Sequence, residues 1–304
     1  MNTTGCLSRS RVLLVPGGAS TVHGYFPQLG TALGAQAQVI RIDVPGIGRA
    51  SDRRPLRLPE YAHELAQAVR AQAGGPLLVV GHSLGGLVAL RLAIDEPGLA
   101  AGLLLLDPTP PTPPAMLHGM ALFLRALAAL GPAGQRLWGR RARQDLHGIT
   151  MDAEQDRALA VYTDPRFVAE TARWARYLAR DGAALAEDLA AGQLPPIPGI
   201  IVSAGYHRPK SAVRRAHQQL AARMPHAELQ VWDGAPHPLH IQQPHRVASA
   251  VSMLLEQAAS RQPAGRRSHR PSVPPSTPSP WSPTSTRRSG WPPEDPDIQQ
   301  TLPA

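Results

Sequence analysis

The pentapeptide Gly81-His82-Ser83-Leu84-Gly85 constrains this chain more than any other feature. An apolar run, Leu77-Leu78-Val79-Val80, leads into it, and residues 87–94 follow with helical spacing. That order predicts a strand, a tight turn with a serine at its tip, and then a helix. The flanking glycines fit a turn too sharp for neighbouring side chains. Such a turn holds a hydroxyl up as a nucleophile, but the pattern alone is weak. Its weight depends on what else the chain can bring to the serine.

The surrounding pattern is one of alternating strands and helices. Buried strands are expected at residues 11–16, 38–44, 76–81 and 101–107, with helices at 61–73, where Pro59 lies near the first turn, and at 84–95. Residues 108–198 contain no convincing strand. Helical patterns there cover 116–130, 153–162, 165–179 and 183–191, which reads as a helical lid inserted after the fourth strand. Alternation resumes with strands at 199–204 and 228–232 and helices at about 209–223 and 244–258. The expected fold class is α/β: a mostly parallel sheet of about six strands with helices on both faces. The expected division is a short N-terminal stretch at 1–10, a core built from 11–107 and 196–258, a lid at 108–195, and a tail at 259–304. The tail is rich in Pro, Ser and Arg and too poor in aliphatic residues to offset its ordering entropy, so disorder is expected there.

Composition narrows the function. A single cysteine, Cys6, excludes a disulfide framework within the chain. Near the N-terminus the apolar stretch at 12–15 is stopped by Pro16-Gly17-Gly18, so neither a signal core nor a spanning segment is read, and a cytoplasmic location is the default expectation. The net charge is +9, yet Lys210 is the only lysine and no basic stripe is interleaved with aromatics, which argues against nucleic acid. The histidines are scattered without zinc-site spacing, and there is no P-loop or dinucleotide fingerprint. Neither a metal nor a cofactor is expected, and the expected partner is a small-molecule substrate rather than a membrane.

A serine nucleophile needs a base, a group orienting that base, and donors for the developing oxyanion. His237, in the Gly/Pro-rich stretch Gly234-Ala235-Pro236-His237-Pro238 after the last strand, belongs at the same sheet edge as Ser83 and is the expected base. His240 and His245 are alternatives, and His82 is read as structural. The backbone N–H of Leu84 is one expected oxyanion donor. The second is Gly18, with Ala19 as runner-up, in the loop after the first strand.

With these residues assembled, the chain resembles the α/β-hydrolase superfamily. The matching segments are VPGG at 15–18, DVPGIGRAS at 43–51, GHSLGG at 81–86, LLLLDP at 103–108 and GAPHPLHIQQP at 234–244. The resemblance covers about residues 11–258. It implies Ser83 as nucleophile, His237 as base, Gly18 and Leu84 as oxyanion donors, and a helical lid. Two departures stand out. Only about ten residues precede the first strand, where the family usually has a two-stranded hairpin. The family acid generally follows the strand at 199–204, yet no Asp or Glu occurs between Asp188 and Glu228.

Asp107 ends the preceding strand, at the same edge and one strand closer to Ser83. It is the expected acid, with Asp188 and Asp233 as alternatives. The order Ser83, Asp107, His237 is also the hydrolase order. The apolar stretch from Met116 to Leu127 reads either as a helix packed on the core edge or as a wall for an acyl group, and Trp174 and Tyr177 serve either purpose. The expected function is therefore a serine hydrolase cleaving a small, mainly apolar ester or related acyl compound. A non-catalytic ligand-binding member of the same fold is the alternative, as are acyl transfer, haloperoxidase-like chemistry and carbon–carbon hydrolysis.

Overall fold

A computed structural model describes residues 10–43, 56–72, 74, 77–111, 114–164 and 166–261. The remaining stretches lie outside the described residues. They include most of the segment at 43–51 and the expected tail from 262 onward.

Six strands form one sheet: β1 (Ser10–Val15), β2 (Ala37–Arg41), β3 (Leu77–His82), β4 (Ala100–Leu106), β5 (Gly199–Ala204) and β6 (Ala227–Trp232). Their order is β2-β1-β3-β4-β5-β6, and every neighbouring pair is parallel. The apolar runs explain the layout. β3 and β5 are buried along their whole length and β1 along all but its first residue, whereas the edge strands β2 and β6 are only partly buried. A parallel sheet needs a crossover between strands, and helices on both faces supply the cover. The short α1 (Leu29–Leu33) and the long α10 (Pro244–Arg261) pack together on one face. On the other lie α2 (Leu58–Arg70) and α3 (Leu84–Asp95).

The register decides the site. His82 pairs with Leu106, and Leu106 pairs with Val202. The residues following β3, β4 and β5 therefore emerge side by side at the C-terminal edge of the sheet. This is the edge at which open α/β sheets present their functional loops.

Among the described residues between β4 and β5 lie four helices and no strand: α4 (Pro114–Ala129), α5 (Pro132–Asp145), α6 (Ala153–Tyr162) and α7 (Phe167–Ala190). The α6 span is as expected. Its start is a reciprocal cap, in which Asp152 accepts from the N–H groups of Glu154 and Gln155 while the Gln155 side chain accepts from the Asp152 N–H. The two helices expected at 165–179 and 183–191 are a single helix, α7. Gly182 lies inside it without breaking it, and a Cβ there would come within 2.5 Å of Leu117 Cδ1. The glycine serves the close packing of α4 on α7. Beside it, the buried Asp181 accepts from the Arg57 side chain at 2.7 Å and the Leu58 N–H at 2.9 Å, tying α7 to the start of α2.

α5 and α1 are absent from the sequence reading; α5 is arginine-rich with only a few buried positions, and α1 has five residues. The helix α10 runs to Arg261, past the expected start of the tail at 259. α8 (Ala212–Ala222) and α9 (Leu239–Gln242) complete the described chain.

The glycines around Ser83 are steric requirements. A Cβ on Gly81 would lie 2.5 Å from the Gly85 carbonyl oxygen, and one on Gly85 would lie 2.5 Å from both the Val15 and Pro16 oxygens. These contacts are with backbone and cannot relax cheaply. Gly85→Ala is expected to cost about 2 kcal/mol of stability, in the range of core overpacking. Urea unfolding measures it, and an unchanged midpoint would refute the steric reading.

Candidate active site

Ser83 sits between β3 and α3 with φ 53° and ψ −121°, a region that a non-glycine residue rarely adopts. Hydrogen bonds hold it there: the Ser83 N–H donates to Leu106 at 3.0 Å, and the Ser83 carbonyl accepts from Gly86 at 3.0 Å and Thr109 at 2.9 Å. The turn lifts the hydroxyl to the edge of the sheet.

Asp107 follows β4 and is almost fully buried, also with positive φ, 41°. The loop after β6 brings His237 back across the end of β5. Its Nδ1–H donates to Asp107 Oδ2 at 2.6 Å, and its Nε2 lies 3.0 Å from Ser83 Oγ. A carboxylate can only accept, so the proton of neutral His237 is on Nδ1 and its Nε2 accepts from the serine hydroxyl. Asp107 Oδ1 accepts from the Ala204 N–H at 2.9 Å. His207, in the loop after β5, donates from Nε2 to both carboxylate oxygens, at 3.0 and 3.1 Å. Burial works to raise the Asp107 carboxyl, but the bonds from His207 and His237 outweigh it and hold the group well below the usual carboxylate range.

Behind the serine runs a second, largely buried chain of hydrogen bonds. His82 Nε2 donates to the His237 carbonyl at 2.9 Å, which leaves Nδ1 to accept from the Tyr25 hydroxyl at 2.8 Å. Tyr25 in turn takes a backbone hydrogen bond from Gly17. A Cβ at Gly17 would fall 2.6 Å from the Tyr25 oxygen and 2.8 Å from His82 Nδ1, so only glycine admits this approach. The chain thus joins the loop after β1, the turn after β3 and the loop that carries His237. His82 is structural, as its sequence context suggests.

The loop after β1 faces Ser83. Gly18 has φ +59° and lines the same cavity as Ser83 and Leu84. The Ala19 N–H is already engaged by Thr171 Oγ1 at 3.0 Å, which favours Gly18 over its runner-up as a free donor. That cavity is about 450 Å³, within the usual range for small-molecule sites. Its floor is polar and its walls are apolar. Leu117, Met120, Phe123 and Leu124 come from α4, and Trp138, Tyr162 and Phe167 from the next three helices. Among the described residues, no three His, Cys, Asp or Glu side chains converge on a point where a metal ion could sit.

A profile of the alpha/beta hydrolase family matches residues 12–250. The chain belongs to this family. Among curated proteins it is similar to a putative carbamate hydrolase of Variovorax paradoxus, 34% identical over 158 residues, 51% of this chain and 58% of that protein. It is also similar to an esterase of Mycobacterium tuberculosis, 36% identical over 105 residues, 34% of each chain. These matches span less than two thirds of the relatives' own lengths. Among solved structures, MenH from S. aureus superposes with a TM-score of 0.68 at 16% identity, covering 84% of this chain and 96% of that one. A thermophilic esterase superposes at 0.59 and 21%, covering 84% and 92%. These distant likenesses concern the fold.

Within the alpha/beta hydrolase frame, the other acid and base candidates fall away. Asp188 is paired with Arg91, Asp233 and His245 are exposed, and His240 is buried beneath Tyr25, its ring stacked 4.6 Å away. Trp174 is buried against Tyr61 in the core, not in the cavity wall. Asp43 accepts from the Thr21 hydroxyl and the Val22 N–H, which ties the end of β2 to the loop after β1. The residues that sequence reasoning missed are Tyr25 and His207. The one available signal for His207 was its place, where the family acid would stand.

Burial pushes the His82 ring down to about 3 from its ordinary 6.5, so it stays neutral in the folded chain while the unfolded chain protonates it. Its contribution to stability is present above about pH 6.5 and is lost as the pH falls toward 3, at about 1.4 kcal/mol per unit. Urea unfolding at about pH 7 and pH 5 should show His82→Gln losing about 2 kcal/mol less than the wild type on acidification. Equal losses would show that the ring is not held neutral.

Proposed function

We propose that this chain is a serine hydrolase acting on a small, mainly apolar ester or related acyl compound. The observation that carries the reading is the continuous contact from Ser83 Oγ through His237 to Asp107, at 3.0 and 2.6 Å. Ser83 attacks the acyl carbonyl while His237 Nε2 takes its proton. Asp107 holds the ring in the tautomer that leaves Nε2 free and stabilises the imidazolium that forms. The N–H groups of Gly18 and Leu84 receive the oxyanion, and His237 returns its proton to the leaving group. A water activated by His237 then releases the acid and restores Ser83.

The cavity supports the proposed substrate class. Its polar groups cluster at Ser83, Asp107, His207 and His237, while the wall from α4 to α7 is aliphatic and aromatic. In this reading α4–α7 form a lid, and their apolar face receives the acyl group. The names of the relatives, a putative carbamate hydrolase and an esterase, lie in the same class of carbonyl chemistry. The alternative of a non-catalytic binding protein rests on a missing acid, and the contact between Asp107 and His237 speaks for the hydrolase reading instead.

A fluorophosphonate probe should label the wild type and leave Ser83→Ala unlabelled; equal labelling of the two would sink the assignment. Across p-nitrophenyl esters of increasing chain length, turnover should rise from acetate to medium chains and fall for long ones. Asp107→Asn should lower kcat by about 10⁴-fold with Ser83 still in place. Near-normal turnover in that variant would remove Asp107 from the mechanism.

A further inference from the structure

Asp107 is bonded by two imidazoles, and only one of them reaches the serine. His237 lies between Asp107 and Ser83, whereas His207 touches the carboxylate from the side of β5. His207 is itself fixed. Its carbonyl accepts from Arg214 at 3.2 Å, Arg214 also donates to the Ala204 carbonyl at 3.1 Å, and the Tyr206 ring packs 4.0 Å from the imidazole. The side chain of His207 is about nine-tenths buried. An imidazole held this firmly, with Nε2 shared between both oxygens of a buried carboxylate, does more than fill space.

We propose that His207 is a positioning residue: its Nε2–H fixes the Asp107 carboxylate and draws off part of its charge, and so sets how strongly His237 holds a proton. The inference rests on the roles proposed above for Asp107 and His237. A carboxylate raises the basicity of the imidazole it faces, and a second donor on the same oxygens weakens that pull. A proton on His207 acts in the same direction, because it repels one on His237. Removing the ring leaves the Asp107 charge to His237 alone, so His237 must then bind its proton more tightly and stay charged to higher pH.

The other groups facing this pair are accounted for. On the β3 side, His82 and His240 are held neutral by burial. From α8 come His217, also pushed down by burial, and Arg214, whose terminal nitrogen bonds backbone carbonyls. His217 bonds the Pro108 carbonyl and Ser203, not the carboxylate. Tyr206 and Tyr162 stay protonated because burial raises both. Asp145 and Arg141 of α5 form an ion pair with each other, and Asp145 acts on His237 only at longer range. None of these groups contacts Asp107 as His207 does.

The test reads the imidazole directly. The His237 ring is followed by proton–carbon NMR across a pH titration, its signal assigned by its loss in His237→Gln. The proteins compared are the wild type, His207→Phe, His207→Asn and His207→Gln. Phenylalanine fills the site without a donor, asparagine is too short to reach the carboxylate, and glutamine restores an N–H near the Nε2 position. The His237 midpoint should rise by about half a unit or more in the Phe and Asn variants and move back toward the wild type in His207→Gln. Identical midpoints in the wild type and in whichever of the two donor-free variants folds would overturn the proposal. A glutamine variant shifted as far as the phenylalanine one would overturn it too, since the donor would then be irrelevant.

With an ester substrate, the acid limb of the kcat/KM profile should move up by the same amount in His207→Phe, with kcat falling about tenfold and KM little changed. The NMR midpoint needs no substrate. It tests the link from His207 to His237 even if the chain hydrolyses no ester, so failure here and failure of the hydrolase reading are separate results.

Discussion

A negative charge buried at the C-terminal edge of the sheet is the constraint around which the rest is arranged. An unpaired carboxylate in that position would cost several kcal/mol. Asp107 avoids the cost by filling its acceptor sites from three directions: the Ala204 N–H from β5, His207 from the loop after it, and His237 from the loop after β6. Each donor pins an element. The loop after β6 must cross over the end of β5 to deliver His237, and that crossing carries Nε2 to Ser83. The electrostatic need of one side chain therefore contributes to the placement of the Ser83 hydroxyl, three strands from the sheet's far edge.

The parts of this arrangement that were legible beforehand are those written locally. Glycines packed against backbone, apolar runs ending at Ser83 and Asp107, and a Gly/Pro loop holding His237 each leave a short signature. With parallel strands, such signatures bring the three residues to one edge without any knowledge of register. What was not legible depends on partners distant in sequence. Gly182 looks like the end of a helix until Leu117 is seen packed over it. Tyr25 carries no local mark, and its role exists only because Gly17 and His82 converge on its hydroxyl. His207 was visible as a missing acid, but a histidine bonded to an acid on the neighbouring strand has no spacing rule that would reveal it.

The four inserted helices add a different kind of order. They are tied to the C-terminal edge of the sheet at specific polar points. Thr171 of α7 caps the Ala19 N–H beside Gly18, and Gln155 of α6 donates to the Ile241 carbonyl close to the His237 loop. Asp181 locks α7 to α2 at its other half. Between these ties the helices turn aliphatic and aromatic side chains toward the cavity, among them the largely exposed Phe123 of α4, while its neighbour Leu122 is exposed outside it. In the proposed reaction, chemistry and selectivity are thus carried by separate layers. The polar groups come mainly from strand ends, which are rigid, and the apolar wall comes from helices, whose side chains can change without moving Ser83 or His237. This division is why one fold can serve many acyl substrates, and why the site speaks more clearly about reaction than about substrate.

Rigidity at the strand ends has its own cost. Ser83 and Asp107 both hold positive φ, a conformation worth roughly 1–3 kcal/mol of strain at each. They sit at the ends of adjacent strands and are restrained by continuations of the ladder: Ser83 N–H to Leu106, Asp107 N–H to Val202 at 2.7 Å, and Thr109 N–H back to Ser83. Relaxing either residue would break bonds that also hold the other. The strain persists because the sheet, which is buried and fully paired there, over-determines the two turns. Hydroxyl and carboxylate are thereby set at a fixed separation before any substrate arrives, and His237 has one place to go: between them, with its backbone carbonyl caught by His82. In the reaction proposed above, an array placed in this way needs no reorganisation at the moment of attack, which is the condition under which fixed dipoles lower a barrier most.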